Sequence, residues 1–277
     1  MRKIYLIGEI GINHNGDLKL AKEIIDLAKN SGFNAVKFQK RDPDVSVPNY
    51  KKNEIKNSPW GNITYLEYKK KIEFGQKEYD EINKYCKKLK IEWFTSVWDV
   101  PSLKFMMKYK PKFHKVASSM ITNKELLENI AKTKIKTFVS TGMSSMTEID
   151  NAIKIFKKYK CPIIPMHSVS IYPCPLEKLN LKMISTLKSK YKCSVGYSGH
   201  EMNVTPSVQA ATLGADYIER HITTDRALWG TDQAASLGPD GIKLLRNLVD
   251  KVVLAEGDGK KKIYDEERSK LKTMKYW

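Results

Sequence analysis

The sequence has few cysteines for its length, and none of them forms a Cys-x-x-Cys pair. Four cysteines cannot staple a chain of 277 residues, so we expect reduced thiols that are mostly buried. Cys174 lies in a Pro-Cys-Pro turn and could be exposed. The other three are Cys86, Cys161 and Cys193.

Long apolar runs are also missing. No stretch of about 18 apolar residues occurs, which excludes a helix that spans a membrane. Near the start, Glu9 interrupts a short apolar run too early for a secretory signal, and no small-residue cleavage site follows. We therefore expect a cytoplasmic protein without a membrane partner.

Arginine is scarce although the formal net charge is +18. The excess is nearly all lysine, and it is spread over every predicted helix, often with acidic neighbours three or four residues away. Such lysines form solvated outer faces, and no basic tract with interleaved aromatic residues stands out. We do not expect nucleic acid as the partner, although the positive field would attract an anionic substrate.

What the sequence does contain is an alternation of short β-rich runs with amphipathic helical patterns. Strands that alternate with helices predict a parallel sheet, and eight such units in about 255 residues fit a single (β/α)8 TIM barrel of the α/β class. An open doubly wound sheet is the alternative, but no G-x-G-x-x-G follows the first strand. The predicted strands are 4–8, 34–38, 91–96, 113–117, 137–140, 163–167, 194–197 and 217–221.

Two segments fall outside this repeat. We assign 1–256 to the barrel, with a long polar insertion at 40–66 after the second strand, and 257–277 to a basic tail. A long structureless loop in a compact domain is often a functional lid, and a plain surface excursion is the other reading. The tail has little apolar periodicity and should lie over the barrel exterior or fray.

Polar residues cluster at the predicted carboxyl ends of the strands, where a barrel of this type carries its chemistry. Several come in pairs two residues apart, a spacing that puts both side chains on one face of a strand. The pairs are Lys37 with Gln39, Ser198 with His200, and Glu219 with His221; Glu9, Thr95, Lys115 and Ser140 occupy other strand ends.

Two sub-sites follow from these residue types. The ammonium groups of Lys37 and Lys115, with the hydroxyl groups of Ser118, Ser140 and Ser198, suit a phosphate and a carboxylate. His200 and His221 end adjacent strands, so their imidazoles can converge on one divalent cation with open positions for water and substrate. Mn²⁺ or Mg²⁺ fits such a site better than structural zinc. His14 and His114 have no comparable polar neighbours at a strand end, and we do not assign them to the site.

Ordered motifs then connect these positions to a known family. GEIGINHNG, FTSVWD, HKVASS, VSTGM, HSVSIYPCP, GYSGH and IERHITTDR resemble, in this order, the N-acetylneuraminate (sialic acid) synthase family. The resemblance implies that phosphoenolpyruvate, an N-acylated hexosamine aldehyde and water give a nonulosonic acid and phosphate. It also implies a divalent metal cofactor, Mn²⁺ before Mg²⁺ or Co²⁺, and a homodimer.

The resemblance assigns a role to each matching residue. Glu9 matches an acid/base residue near the reacting centre, and His200 and His221 match the metal ligands. Lys37, Thr95, Lys115, Ser118, Ser140 and Ser198 match positions that hold phosphoenolpyruvate. Positions near the substrate or the metal are matched by Gln39, Asn62, Tyr172, Glu219 and Asp232.

Two departures and two alternatives stay open. Ser170 stands where members of the family often have Asn, and the antifreeze-like domain that follows the barrel in well-known members is absent from these residues. A separate polypeptide could supply that domain. The alternatives are an aldolase or another phosphoenolpyruvate–sugar condensation on the same fold, and a non-catalytic barrel that serves as a subunit.

Overall fold

Parallel strands form a closed barrel in the computed structural model, which describes residues 2–275. The strands are β1 (Tyr5–Gly11), β2 (Ala35–Lys40), β3 (Ile55–Ser58), β4 (Gly61–Thr64), β5 (Glu92–Val97), β6 (His114–Val116), β7 (Thr137–Ser140), β8 (Ile163–Ser168), β9 (Gly196–Gly199) and β10 (Tyr217–His221). Within the described residues eight of them form the barrel, in the order β1, β10, β9, β8, β7, β6, β5 and β2, which confirms the predicted (β/α)8 fold, and β3 pairs only with β4.

Helices cover the outside of this barrel and bury their apolar faces against it. Among the described residues, no helix is both long and apolar enough to cross a membrane. The helices are α1 (Leu18–Asn30), α2 (Pro43–Ser46), α3 (Tyr65–Ile72), α4 (Gln76–Leu89), α5 (Val100–Met107), α6 (Lys124–Lys132), α7 (Met146–Lys158), α8 (Met183–Tyr191), α9 (Thr205–Thr212), α10 (Pro239–Glu256) and α11 (Asp265–Met274).

The barrel interior is apolar at one end and charged at the other. At the amino-terminal end, an aromatic layer closes the barrel, with the ring centroids of Tyr5 and Phe113 5.6 Å apart and those of Phe138 and Tyr217 5.1 Å apart. Because strand side chains alternate between faces, residues two further along the same strands also point inward. Glu9 therefore faces the barrel interior two residues after Ile7, and Ser140 does so two residues after Phe138.

The insertion has its own secondary structure, although its sequence indicated no strand or helix there. Asp42 caps the short helix α2, and β3 pairs with β4 in an antiparallel hairpin that turns through Gly61 at φ +88°. Thr64 and Glu67 then form a capping box that starts α3. Local capping and turn residues, rather than an apolar pattern, order this segment.

Two further expectations concern the tail and one cysteine. The tail includes a helix, α11, whose side chains at 265–271, 273 and 274 are exposed. Tyr276 and Trp277 lie outside the described residues. Cys174 is buried, which corrects the idea that it could be exposed: it packs in a second apolar cluster with Leu179 and Tyr197.

Candidate active site

A cavity of about 250 Å³ opens at the carboxyl end of the barrel. The parallel register brings together there most of the residues that the sequence singled out, because they lie at the carboxyl ends of the strands or in the loops that follow them. The predicted site residues that line the cavity are Glu9, Lys37, Gln39, Lys115, Ser118, Ser140, Tyr172, Ser198, His200, Glu219 and His221.

Two carboxylates and two ammonium groups form the buried centre of the cavity. Lys37 Nζ lies 2.5 Å from Glu9 Oε2 and 3.5 Å from Glu219 Oε1. Lys115 Nζ donates to both oxygens of Glu219, at 2.9 and 2.8 Å. Ser198 Oγ donates to Glu219 Oε1 at 3.2 Å. The four charges balance one another, so each is compensated although all four residues are buried.

Their environments push the pKa values of the two carboxyl groups apart. Burial raises the pKa of Glu9, and the nearby Lys37 opposes this only in part. Burial also acts to raise the pKa of Glu219, but Lys115 and Lys37 outweigh it and lower that pKa. Glu219 therefore stays ionised, whereas Glu9 can take up and release a proton.

Gln39 connects this centre to the start of the insertion. Its Nε2 donates to Glu9 Oε1 at 3.3 Å, and Arg41 Nη2 donates to its Oε1. Because a guanidinium can only donate, Arg41 fixes the orientation of the amide and leaves its N–H groups facing Glu9. The Arg41 guanidinium lies 4.2 Å from the ring of Trp98, which also lines the cavity.

Hydroxyl groups line one wall of the cavity. Ser168 Oγ and Ser170 Oγ are buried without a hydrogen-bond partner, which is unusual for buried polar atoms. A Cβ atom on Gly142 would lie 2.4 Å from Ser170 Oγ and 2.8 Å from Ser118 Oγ, so only glycine lets the backbone approach both hydroxyls. Unpaired donors beside an open backbone suit an anionic group such as a phosphate.

The two imidazoles also line this cavity and lie close together, with ring centroids 5.6 Å apart. His200 Nδ1 lies 2.7 Å from the carbonyl oxygen of Val169, which can only accept, so Nε2 is the nitrogen without the proton. Burial lowers the pKa of His200 to about 3, which keeps it neutral. His221 Nδ1 is buried without a hydrogen-bond partner. The ring of Tyr172 lies 4.0 Å from that of His200.

Three of the predicted site residues do not line this cavity. Thr95 follows the inward-facing Phe94, so it lies on the opposite face of β5, and Ser96 lines the cavity instead. Asn62 is exposed on the β3–β4 hairpin. Asp232 lies beside His221, with its Oδ2 3.9 Å from His221 Nδ1. Over the described part of the chain, no group of three or more His, Cys, Asp and Glu side chains is arranged to hold a metal ion.

Other lining residues were not among the predicted site residues. Ser96 and Ser168 end strands and could have been found by applying the two-residue period from Phe94 and Met166. Ser170 appeared only as a departure from the family pattern. Trp98 and Met143 lie in loops after strands, where no periodicity signals which way a side chain points.

Comparisons with known proteins agree with this geometry. A model described as the NeuB family matches residues 24–261. The chain is 34% identical over 284 residues to an N,N'-diacetyllegionaminic acid synthase of Campylobacter jejuni, covering 99% of this chain and 84% of the relative. It is 35% identical over 263 residues to an N-acetylneuraminate-9-phosphate synthase of Homo sapiens, covering 94% and 73%.

A solved structure is similar over nearly the whole chain. It is an N-acetylneuraminic acid synthetase from Leptospira borgpetersenii in complex with citrate, with a TM-score of 0.87 and 34% identity. The match covers 98% of this chain and 91% of that one.

Proposed function

The chain belongs to the NeuB family, and from this premise we propose that it condenses phosphoenolpyruvate with an N-acylated hexosamine aldehyde. The products are a nonulosonic acid and inorganic phosphate. The observation that carries the proposal is the single cavity in which two lysines, two imidazoles, unpaired hydroxyls and Glu9 face one another. The lysines and hydroxyls suit the trianionic phosphoenolpyruvate, and the imidazoles suit a cation that would bind the aldehyde.

The phosphoenolpyruvate end of the cavity is the wall of hydroxyls next to the two lysines. Ser118, Ser140, Ser168 and Ser170 can donate to phosphate oxygens, and the ammonium groups of Lys37 and Lys115 can neutralise the phosphate and the carboxylate. Binding has to draw each lysine partly away from the carboxylates that now hold it. Both ammonium groups already lie in the cavity that the anion would enter, so binding exchanges one set of negatively charged partners for another.

Glu9 and Gln39 are next to the space between the two substrates. We propose that the C3 methylene of phosphoenolpyruvate attacks the aldehyde carbon, and that positive charge develops at C2. Water then adds to C2 while Glu9 accepts its proton, which passes on to the alkoxide formed from the aldehyde. The C2–O bond to phosphate breaks as the new hydroxyl at C2 becomes a carbonyl and its proton leaves with the phosphate. A carboxyl group whose pKa is raised by burial suits this exchange of a proton.

His200 and His221 would hold a divalent cation, with Mn²⁺ proposed before Mg²⁺ or Co²⁺. The residues fit such an ion because His200 presents an unprotonated Nε2 and the Nδ1 of His221 has no hydrogen-bond partner. Two neutral nitrogens leave coordination positions for water and for the aldehyde oxygen, which the ion would polarise. From the family resemblance we also propose a homodimer and a separate antifreeze-like partner, and we keep the cytoplasmic location as a proposal.

Phosphate release tests the proposed function. The protein is incubated with phosphoenolpyruvate, Mn²⁺ and a panel of N-acylated hexosamines, and phosphate is measured over time. We expect release with at least one sugar, dependent on the cation, and none from a folded His221→Ala variant. No release with any sugar, with and without an added antifreeze-like domain, would contradict the proposal.

A further inference from the structure

A buried ion pair lies directly behind the two imidazoles. Glu201 follows His200 in the chain, and Arg220 precedes His221. Since neighbouring strand residues face opposite sides, Arg220 points away from the cavity while Glu219 and His221 point into it. Arg220 Nη1 lies 2.8 Å from Glu201 Oε1, and both side chains are 0% exposed. The pair thus joins the two histidine-bearing segments on the side that faces the helices.

Further hydrogen bonds extend this pair into a buried network, in which both Nη atoms of Arg220 have partners and its Nε has none. The hydroxyl of Tyr197 donates to Glu201 Oε2 at 2.8 Å, and Ser207 Oγ donates to Glu201 Oε1 at 3.2 Å. Arg220 Nη1 also donates to the carbonyl oxygen of Asn203 at 2.8 Å, and Nη2 donates to that of Glu201 itself. The backbone that follows His200 is therefore held to β10 at two carbonyl groups.

The space around the pair is tightly filled. A Cβ atom on Gly199 would lie 2.5 Å from Glu201 Oε2 and 2.6 Å from the ring of Tyr197. A side chain at position 199 would therefore occupy the space that the Glu201 carboxylate fills next to the end of β9. The loop after His200 thus has little freedom to shift along the barrel axis or away from His221.

Stability alone does not account for such a pair. Removing two charges from water costs several kcal/mol per ion, and apolar side chains of similar volume are often as stabilising as a buried ion pair. An apolar pair makes no oriented hydrogen bonds, so it cannot fix the distance and relative orientation of the two backbone segments that carry it. Both members of this pair are covalently next to a residue that the proposed cation needs at a fixed separation.

We propose that the Glu201–Arg220 pair is a positioning device that sets the spacing of the His200 and His221 imidazoles and thereby the affinity for the divalent cation. The inference rests on the proposed function, because that function supplies the cation. Neither Glu201 nor Arg220 lines the cavity. Their effect reaches the cation only through the two imidazoles.

The test is the dissociation constant for Mn²⁺ of the full chain, measured by isothermal titration. Glu201→Gln keeps the shape and removes the charge, and we expect it to weaken Mn²⁺ binding about tenfold or more, as loss of outer-shell partners typically does. Saturating Mn²⁺ should restore most of the turnover. Glu73→Gln is the matched control, since it breaks the buried Lys40–Glu73 pair, 3.0 Å long, away from the imidazoles. Its Mn²⁺ affinity should not change.

A double variant guards against misfolding. Replacing Glu201 and Arg220 together by Leu leaves no unpaired charge, so the fold should survive while Mn²⁺ binding is weakened. Circular dichroism and the melting temperature establish that each variant is folded. Unchanged Mn²⁺ affinity in folded Glu201→Gln and in the folded double variant would overturn the positioning role.

A second readout separates this inference from the proposed function. The nitrogen and proton NMR signals of the His200 imidazole report its hydrogen bond to Val169 without any cation. Wild-type protein that binds no Mn²⁺ would contradict the cation site, and these signals would still decide the positioning role. We expect them to shift in Glu201→Gln and to stay in place in Glu73→Gln. Unshifted signals in Glu201→Gln would contradict the role.

Discussion

At the scale of single residues, the direction of a side chain matters as much as its position in a motif. The motif FTSVWD has two adjacent hydroxyl residues. The family resemblance gives the role of holding phosphoenolpyruvate to the first of them, Thr95. Phe94 packs in the barrel interior, so the two-residue period of β5 directs Ser96 into the cavity. Which of two neighbours faces inward depends on the strand register, which the motif alone does not contain.

Substitution at these two positions tests that correction. We expect Ser96→Ala to raise the KM for phosphoenolpyruvate about fivefold, since one hydrogen bond contributes about 1 kcal/mol. Thr95→Val keeps the shape of a buried side chain on the other face of the strand and should change this KM less. Steady-state kinetics at saturating sugar compare the two variants. A larger effect of Thr95→Val would contradict the assignment of Ser96.

At the scale of elements, strands and helices of the barrel follow from the sequence, and the insertion does not. The barrel strands carry inward-facing apolar residues with a clear period. The structure places each strand within a few residues of its predicted range. The hairpin strands β3 and β4 are four residues long each and largely exposed, so they lack an apolar pattern that could predict them.

The insertion depends on local capping, which a single substitution can remove. Thr64 Oγ1 accepts from the backbone N–H of Glu67, 3.2 Å away, at the start of α3. Thr64→Ala should lower the free energy of unfolding by about 1 kcal/mol, because it leaves this N–H without its partner. Thr64→Ser keeps the hydroxyl and should stay within about 0.5 kcal/mol of wild type. Urea unfolding measures both; equal stability of wild type and Thr64→Ala would show that the cap is not needed.

At the scale of the whole molecule, a buried histidine outside the site should make stability depend on pH. Burial lowers the pKa of His114 to about 4, whereas in the unfolded chain it titrates near 6.5. The unfolded state therefore takes up a proton first as the pH falls from about 6.5 to 4, and the folded state loses stability over that interval. The contribution of this one residue is at most ~3 kcal/mol.

Replacement of this histidine checks the sign. His114→Leu should lower the pH dependence of the free energy of unfolding between pH 6.5 and pH 4, whatever its effect at pH 7. Urea unfolding at several pH values compares wild type with the variant. An identical slope in both proteins would mean that His114 is not the group that takes up the proton.

The sequence was also sufficient, at this scale, to predict one polar opening at the end of a barrel. Residues on all eight barrel strands or the loops after them meet in one cavity because a closed parallel sheet brings all its carboxyl ends to the same side. The sequence could not reveal the pair of Glu201 and Arg220, since their meeting depends on the path of the loop after β9. Contacts between a loop and the next strand have no sequence period.

The most direct test of the central claim is turnover in water enriched in ¹⁸O. The protein, phosphoenolpyruvate, Mn²⁺ and an accepted N-acylated hexosamine are incubated, and the phosphate and the sugar acid are analysed by mass spectrometry. The proposed addition of water to C2 predicts ¹⁸O at C2 of the sugar acid and unlabelled phosphate. Phosphate that carries ¹⁸O would contradict the proposed chemistry of this cavity.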